Sequence, residues 1–204
     1  MAYIIGITGP SGAGKSLFSK YIVSASIPCI DADELYHSML VPPSSCLDEI
    51  ARVFGKDVIA SDGTLDRAAL SLRVFGDPQM LVRLNETVLP LVIEKIKKEI
   101  ARYEQSGHRV VAVDAPTLIE SGFNKECNAV IAVIAPADER TERIKTRDHI
   151  SLERARERIT AQKSDEFYTS AADFIIVNDA DEPSFLKKAE DILRQIKNII
   201  RTDI

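Results

Sequence analysis

The stretch Gly9-Pro10-Ser11-Gly12-Ala13-Gly14-Lys15-Ser16 decides the fold of this chain. It matches the pattern G-x-x-x-x-G-K-[ST], follows the apolar run Tyr3 to Thr8 and opens a helical pattern from Lys15 to Ser24. Glycines let the backbone wrap around an anion, so that successive N–H groups and the positive end of a helix point toward it. A glycine-rich turn that only capped a helix would not need lysine beside serine. The stretch therefore predicts a site for nucleotide phosphates.

Each part of this phosphate loop has an expected role. Lys15 is long enough to reach the β and γ phosphates as a point charge, and the Ser16 hydroxyl is small enough to be a ligand of Mg²⁺. We expect the phosphates to contact the loop and the first turn of its helix, which comprise Ser11, Gly12, Ala13, Gly14, Lys15, Ser16 and Leu17.

The rest of the chain alternates short apolar runs with helical patterns. The predicted strands are Tyr3 to Thr8, Pro28 to Asp31, Val110 to Asp114, Val130 to Ile134 and Phe174 to Val177. After the loop helix, the predicted helices are Asp33 to Leu40, Leu47 to Phe54, Arg67 to Val74, Asp77 to Thr87, Leu91 to Gln105, Ala137 to Arg147, Leu152 to Gln162 and Ser184 to Arg201. This pattern predicts an α/β fold with a parallel sheet of about five strands flanked by helices.

The domain organisation follows from where strands are missing. Residues 34–105 contain helical patterns and no convincing strand, so we interpret them as a helical insertion that binds substrate, although such an insertion could also only complete the core. The nucleotide-binding core is then expected at residues 1–33, 106–143 and 166–204, and a lid at 144–165. A chain of 204 residues suits one such domain.

Carboxylates follow two of the predicted strands. Asp31 and Asp33 come at the end of the second strand, and ligands of open α/β sheets bind at the carboxyl ends of strands. We expect Asp33 to be the catalytic base, with Asp31 as its competitor and with helix capping as the alternative role of Asp33. Asp114 closes the third strand and is expected near Mg²⁺, or else is only a turn former. The candidate metal ligands are therefore Ser16, Asp31 and Asp114.

A basic segment stands out in an acidic chain. The formal net charge is −5, yet residues 139–163 hold eight basic and five acidic side chains. Arg143 and Arg147 lie one turn apart just before a predicted helix break, where a lid could bring a guanidinium onto a phosphoryl group. We interpret Arg154, Arg156 and Arg158 as part of a solvent-exposed helix face and not as ligand contacts.

Several classes of function are disfavoured. The acidic total argues against nucleic-acid binding by blanket phosphate neutralisation. The sequence has no apolar run of about 18 residues and no recognisable export signal, so we expect no membrane partner and a cytoplasmic location. The histidines share no metal-ligand spacing, and only His37 is a candidate for substrate contact. The sequence does not determine the oligomeric state.

An ordered series of short motifs resembles the bacterial dephospho-coenzyme A kinase family over residues 3–200. The series comprises the phosphate loop, Ile30-Asp31-Ala32-Asp33, Phe54-Gly55, Asp62-Gly63-x-Leu65-Asp66-Arg67, Val74-Phe75, Leu84-Asn85, Asp114-x-Pro116-x-Leu118-x-Glu120, Arg143-x-x-x-Arg147-Asp148, Ala161-Gln162 and Ala172-Asp173-x-x-Ile176-x-Asn178. The order and spacing carry the resemblance, because several of the motifs are weak singly.

The resemblance implies an α/β fold of the P-loop kinase type. It also implies an enzyme that uses ATP to phosphorylate the 3′-hydroxyl of the ribose of dephospho-coenzyme A. It implies that Asp33 is the base, that Arg147 is a lid contact to ATP and that the segment around Asn178 lies near the adenine. Together with the residue patterns above, this gives expected catalytic roles to Asp33, Lys15 and Arg147 and expected ATP contacts to Arg143 and Asn178. The expected substrate contacts are Asp33, His37, Arg67, Pro116, Leu118 and Glu120.

The chain departs from the family pattern at a few places. Pro10, Ser11 and Ala13 occupy variable positions of the loop, Leu89 stands where a histidine usually precedes proline, and Tyr168 replaces a common lysine. The last two changes bear on substrate affinity and lid detail.

Three alternatives stay open from the residues. One is a P-loop kinase for another small hydroxyl, nucleoside or nucleotide acceptor, and a second is a catalytically silent nucleotide binder. The third is a GTPase-type switch, which Asn124-Lys125-Glu126-Cys127 supports poorly because Cys127 cannot make the carboxylate contact to guanine.

Overall fold

The structure, a computed structural model, describes residues 1–74 and 77–202, and these contain five strands and nine α-helices. The strands are β1 (Tyr3–Thr8), β2 (Cys29–Asp31), β3 (Val110–Asp114), β4 (Ala129–Ile134) and β5 (Phe174–Val177). The helices are α1 (Lys15–Ser24), α2 (Ala32–Met39), α3 (Ser45–Phe54), α4 (Arg67–Val74), α5 (Pro78–Gln105), α6 (Ala137–Asp148), α7 (Leu152–Thr160), α8 (Asp165–Thr169) and α9 (Glu182–Thr202). Every predicted strand is present.

The strands form one sheet in the order β2-β3-β1-β4-β5. The pairs β1–β3, β1–β4 and β4–β5 are parallel, with Ile5 opposite both Ala112 and Ala129. The predicted parallel α/β fold is confirmed. Because parallel strands end at one edge, the loop after β1, the acid at the end of β3 and the residue after β5 lie at that same edge.

The chain divides into two compact units. Unit 1 comprises residues 1–30 and 100–204, and unit 2 comprises residues 31–99. In unit 1, α1 and α9 supply Phe18, Ile22, Phe185, Leu193 and Ile196 to a core that also contains the central strands. The prediction that the last helix covers the core is confirmed.

Unit 2 is built from α2, α3, α4 and most of α5. Its buried side chains include Cys46, Leu47, Ile50, Phe54 and Leu70. The functional division into core, substrate module and lid stays a prediction. Phe75 of the Val74-Phe75 motif lies outside the described residues.

The structure differs from the prediction over residues 77–105, where two helices were expected and one is present. Residues Pro78–Gln105 form the single helix α5, although Pro90 lies inside it. Proline lacks the N–H of one helical bond and crowds the preceding turn, but Val88, Val92, Ile96 and Ile100 are buried at four-residue spacing. Burial of this apolar stripe outweighs the cost of one lost hydrogen bond.

No helix within residues 1–74 and 77–202 combines the length and the apolar character needed to cross a membrane.

Candidate active site

The phosphate loop connects β1 to α1 and is held in shape by side chains behind it. Lys15 Nζ donates to the Gly9 carbonyl at 2.9 Å, and Asn178 Nδ2 donates to the Ala13 carbonyl at 2.9 Å. Gly14 has φ 106°, and a Cβ there would lie 2.3 Å from Asn178 Nδ2. Only glycine allows both this backbone conformation and this close approach. Asn178 therefore braces the loop from the end of β5.

Helix α6 presents three arginines to the same loop. They lie three and then four residues apart, which places them on one face of a helix. Arg140 Nε donates to the Ser11 carbonyl at 3.1 Å, and an Arg143 nitrogen donates to the Gly12 carbonyl at 3.2 Å. Arg147 reaches the Ser11 hydroxyl at 3.4 Å. The loop and α6 therefore form one hydrogen-bonded assembly within unit 1.

The three arginines differ in exposure and hence in the role each can take. The side chain of Arg140 is 5% exposed, whereas those of Arg143 and Arg147 are 36% and 60% exposed. An exposed guanidinium can turn toward a bound phosphate, while a buried one is held by its protein partners. Arg143 and Arg147 were predicted ligand contacts, and their exposure suits that role.

Arg147 is oriented by the acid that follows it. Its Nε lies 2.7 Å from Asp148 Oδ1, and Asp148 also accepts a hydrogen bond from Arg158. Hydrogen bonds from Arg147, together with the charges of both arginines, hold the pKa of Asp148 below its ordinary value. Helix α6 ends at Asp148, and His149 closes it in the left-handed conformation at φ 52°. The predicted helix break after Arg147 is confirmed, and the predicted lid boundary at residue 144 falls inside α6.

Asp114 lies at the carboxyl end of β3 and is 7% exposed. Its Oδ2 accepts a hydrogen bond of 2.7 Å from the hydroxyl of Ser19, one turn after Lys15 in α1. This bond fixes the carboxylate relative to the phosphate-loop helix.

The residues present fit a magnesium ion. Ser16 is exposed at the start of α1, and the Ser16 hydroxyl and the Asp114 carboxylate are hard oxygen donors. Within the described ranges there is no cluster of three or more histidine, cysteine or acidic side chains that would form a protein cage. Mg²⁺ does not need one, because it keeps waters and binds one or two protein groups beside substrate phosphates.

The segment after β3 contains three predicted substrate contacts. Pro116 is half-buried and Glu120 is exposed, so both can meet a ligand. Leu118 is fully buried, and a Cβ on Gly6 would lie 2.7 Å from its side chain. Leu118 therefore packs against β1, and we leave it out of the proposed contacts because it has no accessible surface.

In unit 2, the structure corrects the alternative role considered for Asp33. The N-cap of α2 is Asp31, whose Oδ1 accepts the N–H groups of Asp33 and Glu34 at 2.9 and 3.0 Å. Asp33 lies within the first turn of the helix, so helix capping is not its role. Capping occupies one carboxylate oxygen of Asp31, which makes Asp31 the weaker candidate for the base.

The other predicted substrate contacts of unit 2, His37 and Arg67, lie near Tyr36, which the sequence analysis did not single out. The rings of His37 and Tyr36 stack with centroids 6.1 Å apart. Burial raises the pKa of Tyr36, as does Cys46, while the nearby charge of Arg67 opposes the shift. His37 and Arg67 are exposed. Tyr36 therefore lies near both predicted substrate contacts.

Sequence reasoning found Asn178 and Arg143 but missed three other residues that support the site. Arg140 was counted only in the basic segment, Gln162 only as part of a motif, and Ser19 not at all. The signal that could have found Arg140 is its helical register with Arg143 and Arg147. No local pattern marks Ser19, because its partner Asp114 is 95 residues away.

The replacement at Tyr168 has a packing explanation. Tyr168 is 5% exposed and contacts the ring of Phe167 edge-on. Burial and the charge of Glu120 raise the pKa of its phenol, and Arg140 opposes them. Tyr168 thus fills a buried position in place of the lysine common in the family.

Comparisons with known proteins agree with this geometry. A family model described as dephospho-CoA kinase matches residues 3–183. A dephospho-CoA kinase of Anaeromyxobacter dehalogenans is 36% identical over 95% of this chain and 92% of its own length. The structure of a dephospho-CoA kinase from Campylobacter jejuni covers 96% of this chain and 98% of its own, with a TM-score of 0.70 and 26% identity.

A more distant structure is similar in fold alone. Shikimate kinase from Acinetobacter baumannii, in complex with shikimate, covers 97% of this chain and 94% of its own with a TM-score of 0.53, at 15% identity. The family match covers most of the chain, and residues 3–183 include the phosphate loop and the α6 arginines beside it. The chain therefore belongs to the dephospho-CoA kinase family of enzymes.

Proposed function

We propose that this enzyme transfers the γ-phosphoryl group of ATP to the 3′-hydroxyl of the ribose of dephospho-coenzyme A, giving coenzyme A and ADP. The observation that carries the proposal is the braced phosphate loop, with Lys15 at its end and with the half-buried Arg143 and the exposed Arg147 of α6 beside it. A phosphoryl-transfer site needs this combination, because little covalent chemistry is left to the protein beyond positioning and charge. Family membership supports the choice of acceptor.

The unit 1 residues would bind and orient ATP. Lys15 supplies a positive charge at the β and γ phosphates, while Arg143 and Arg147 stabilise the charge that develops on the transferred group. Asn178 is buried and donates to the Ala13 carbonyl, so we propose that it acts on ATP through the loop, with the segment around it as the neighbour of the adenine. Ser16 and Asp114 would hold Mg²⁺, which when bound neutralises phosphate charge.

The unit 2 residues would bind and activate the acceptor. We assign Asp33 as the base that accepts the proton of the 3′-hydroxyl, because it is an exposed carboxylate in the first turn of α2 and is not the cap. His37 and Arg67 are proposed contacts of the acceptor, and Arg67 suits its phosphate groups. From unit 1, Pro116 and Glu120 complete the proposed contacts.

An acceptor panel tests the proposal. ADP release would be measured with dephospho-coenzyme A, uridine, cytidine monophosphate and shikimate, with ATP and Mg²⁺ in each reaction. We expect turnover on dephospho-coenzyme A, with a product that is one phosphate heavier and carries a new phosphomonoester at the 3′ position by ³¹P NMR.

The other outcomes distinguish the alternatives. Turnover on another acceptor alone would make the chain a kinase for that hydroxyl. Binding of ATP without turnover on any acceptor would favour a silent nucleotide binder.

A further inference from the structure

Arg140 is the one buried arginine of the basic segment, residues 139–163, whose other arginines are half-buried or exposed. Removing a guanidinium from water is costly unless good hydrogen bonds replace the lost hydration. Arg140 has such partners on three sides, which are the Ser11 carbonyl at 3.1 Å, Gln162 Oε1 at 2.8 Å and Asp165 Oδ1 at 3.2 Å. Burial lowers its pKa and the charge of Asp165 opposes that shift, so an ion pair compensates the buried charge.

The partners of Arg140 form a closed ring with the phosphate loop. Gln162 Oε1, which accepts from Arg140, also accepts the backbone N–H of Ser11 at 3.0 Å. The N–H and the carbonyl of Ser11 are therefore both held, one by Gln162 and the other by Arg140. Asp165 extends the ring to the first residue of α8.

The ring joins parts of the chain that are far apart in sequence. Ser11 and Arg140 are 129 positions apart, and Ser11 and Gln162 are 151 apart. On one side, the ring contains Ser11 of the loop that would bind the phosphates. On the other side, it contains Gln162 of the segment between α7 and α8. The planar fork of arginine donates in several directions at once, whereas lysine is a point charge on a flexible stem.

We infer that Arg140 is a positioning residue, which fixes the backbone of Ser11 through Gln162 and so sets the phosphate loop in the shape that binds ATP. This inference rests on the proposed function only in that ATP is the ligand of the loop. Arg140 itself faces protein groups, and it acts on ATP through the loop.

Three variants test this role without an acceptor. Arg140→Lys keeps the charge and loses the fork, Gln162→Met removes the shared acceptor, and Arg194→Met is the matched control. Arg194 pairs with Asp191 on the exposed side of α9. The readouts are the Kd for ATP by calorimetry, amide hydrogen exchange of Ser11 by NMR, and the Tm.

We expect Arg140→Lys to raise the Kd for ATP about tenfold, as loss of hydrogen bonds to a charged group does. Exchange of the Ser11 amide should quicken in Arg140→Lys and in Gln162→Met. The double variant should lose less than the sum of the single losses, because both changes break one ring. Arg194→Met should match the wild type in Kd and in exchange.

A folded Arg140→Lys protein with the wild-type Kd and wild-type Ser11 exchange would overturn the inference, even if its Tm fell, because the arginine would then be structural only. If Arg140→Lys does not fold, Gln162→Met decides by the same two readouts. Wild-type protein that binds ATP but does not phosphorylate dephospho-coenzyme A would refute the proposed function, while the binding and exchange measurements would still decide the role of Arg140.

Discussion

The two units hold their candidate site residues in different ways. In unit 1, the loop is tied by contacts across the chain, such as Asn178 to Ala13 over 165 positions and Arg143 to Gly12 over 131. In unit 2, the hydrogen bonds that set the proposed base are local, since Asp31 caps its own helix two and three residues away. The phosphate loop is therefore organised by the tertiary fold, whereas the start of one helix positions Asp33.

This difference has a functional meaning. A phosphate site must keep its shape before the ligand arrives, because donors that are already oriented stabilise charge without reorganising. An acceptor side built from exposed residues on a local scaffold can adjust to a larger ligand. We therefore expect changes to the site residues of unit 1 to affect ATP binding and rate together, and changes to those of unit 2 to affect rate with little effect on ATP binding.

The largest effect is expected for Lys15→Ala in unit 1. The variant loses the charge at the β and γ phosphates and the hydrogen bond to the Gly9 carbonyl. We expect kcat/KM to fall about 10³-fold and the affinity for ATP to weaken. Steady-state kinetics and ATP titration measure both effects. Lys20→Ala changes an exposed lysine of the same helix and serves as the control; near-normal activity of Lys15→Ala would remove Lys15 from the mechanism.

The next effect is expected for Asp33→Asn in unit 2. The amide cannot accept the proton of the acceptor, so kcat should fall by about 10² while the Kd for ATP stays close to that of the wild type. Glu34→Gln changes the neighbouring exposed acid and is the matched control. Weakened ATP binding by Asp33→Asn would break the proposed difference between the units.

Asp31→Asn separates the two candidate bases. Asparagine is as good an N-cap as aspartate, so this variant keeps the start of α2 intact while removing the charge. A larger loss of kcat for Asp31→Asn than for Asp33→Asn would reassign the base to Asp31.

The sequence predicted the fold well because each strand is a short apolar run between clear boundaries. The runs Tyr3 to Thr8, Val110 to Asp114 and Phe174 to Val177 agree with the structure at both ends. The split of α5 at Pro90 was wrong because a long buried stripe can override one proline, and periodicity alone does not weigh the two.

The site was less accessible to prediction, and the reason is distance along the chain. Lys15 and Ser16 belong to a contiguous motif whose spacing expresses its chemistry, so sequence reasoning reaches them directly. Arg140, Gln162 and Ser19 act through partners 95 to 151 positions away. The local signal also misled at α2, where Asp31 and Asp33 are equally good caps by residue type and only the end of β2 decides between them.

The smallest expected effect concerns the frame of unit 1 and not its chemistry. After α1, Ser26 adopts the left-handed conformation at φ 64°, its N–H bonds to the Val23 carbonyl, and the Ile27 N–H bonds to the Ile22 carbonyl. This is a Schellman ending, in which glycine is the residue of least strain. Ser26→Gly should therefore raise the free energy of unfolding by about 0.5–1 kcal/mol, the relief of strain being partly offset by a more flexible unfolded chain.

Denaturant unfolding measures this change as a shift in midpoint at constant slope. Ser24→Gly, inside the last turn of α1, is the matched control and should lower the free energy of unfolding by about 0.5–1 kcal/mol. Neither variant touches the contacts that brace the phosphate loop, so both should keep the wild-type Kd for ATP. A change in that Kd on Ser26→Gly would mean that the shape of the loop also depends on the carboxyl-terminal end of α1. The phosphate site would then rest on local contacts of its own helix as well as on long-range contacts, and the proposed difference between the units would not hold.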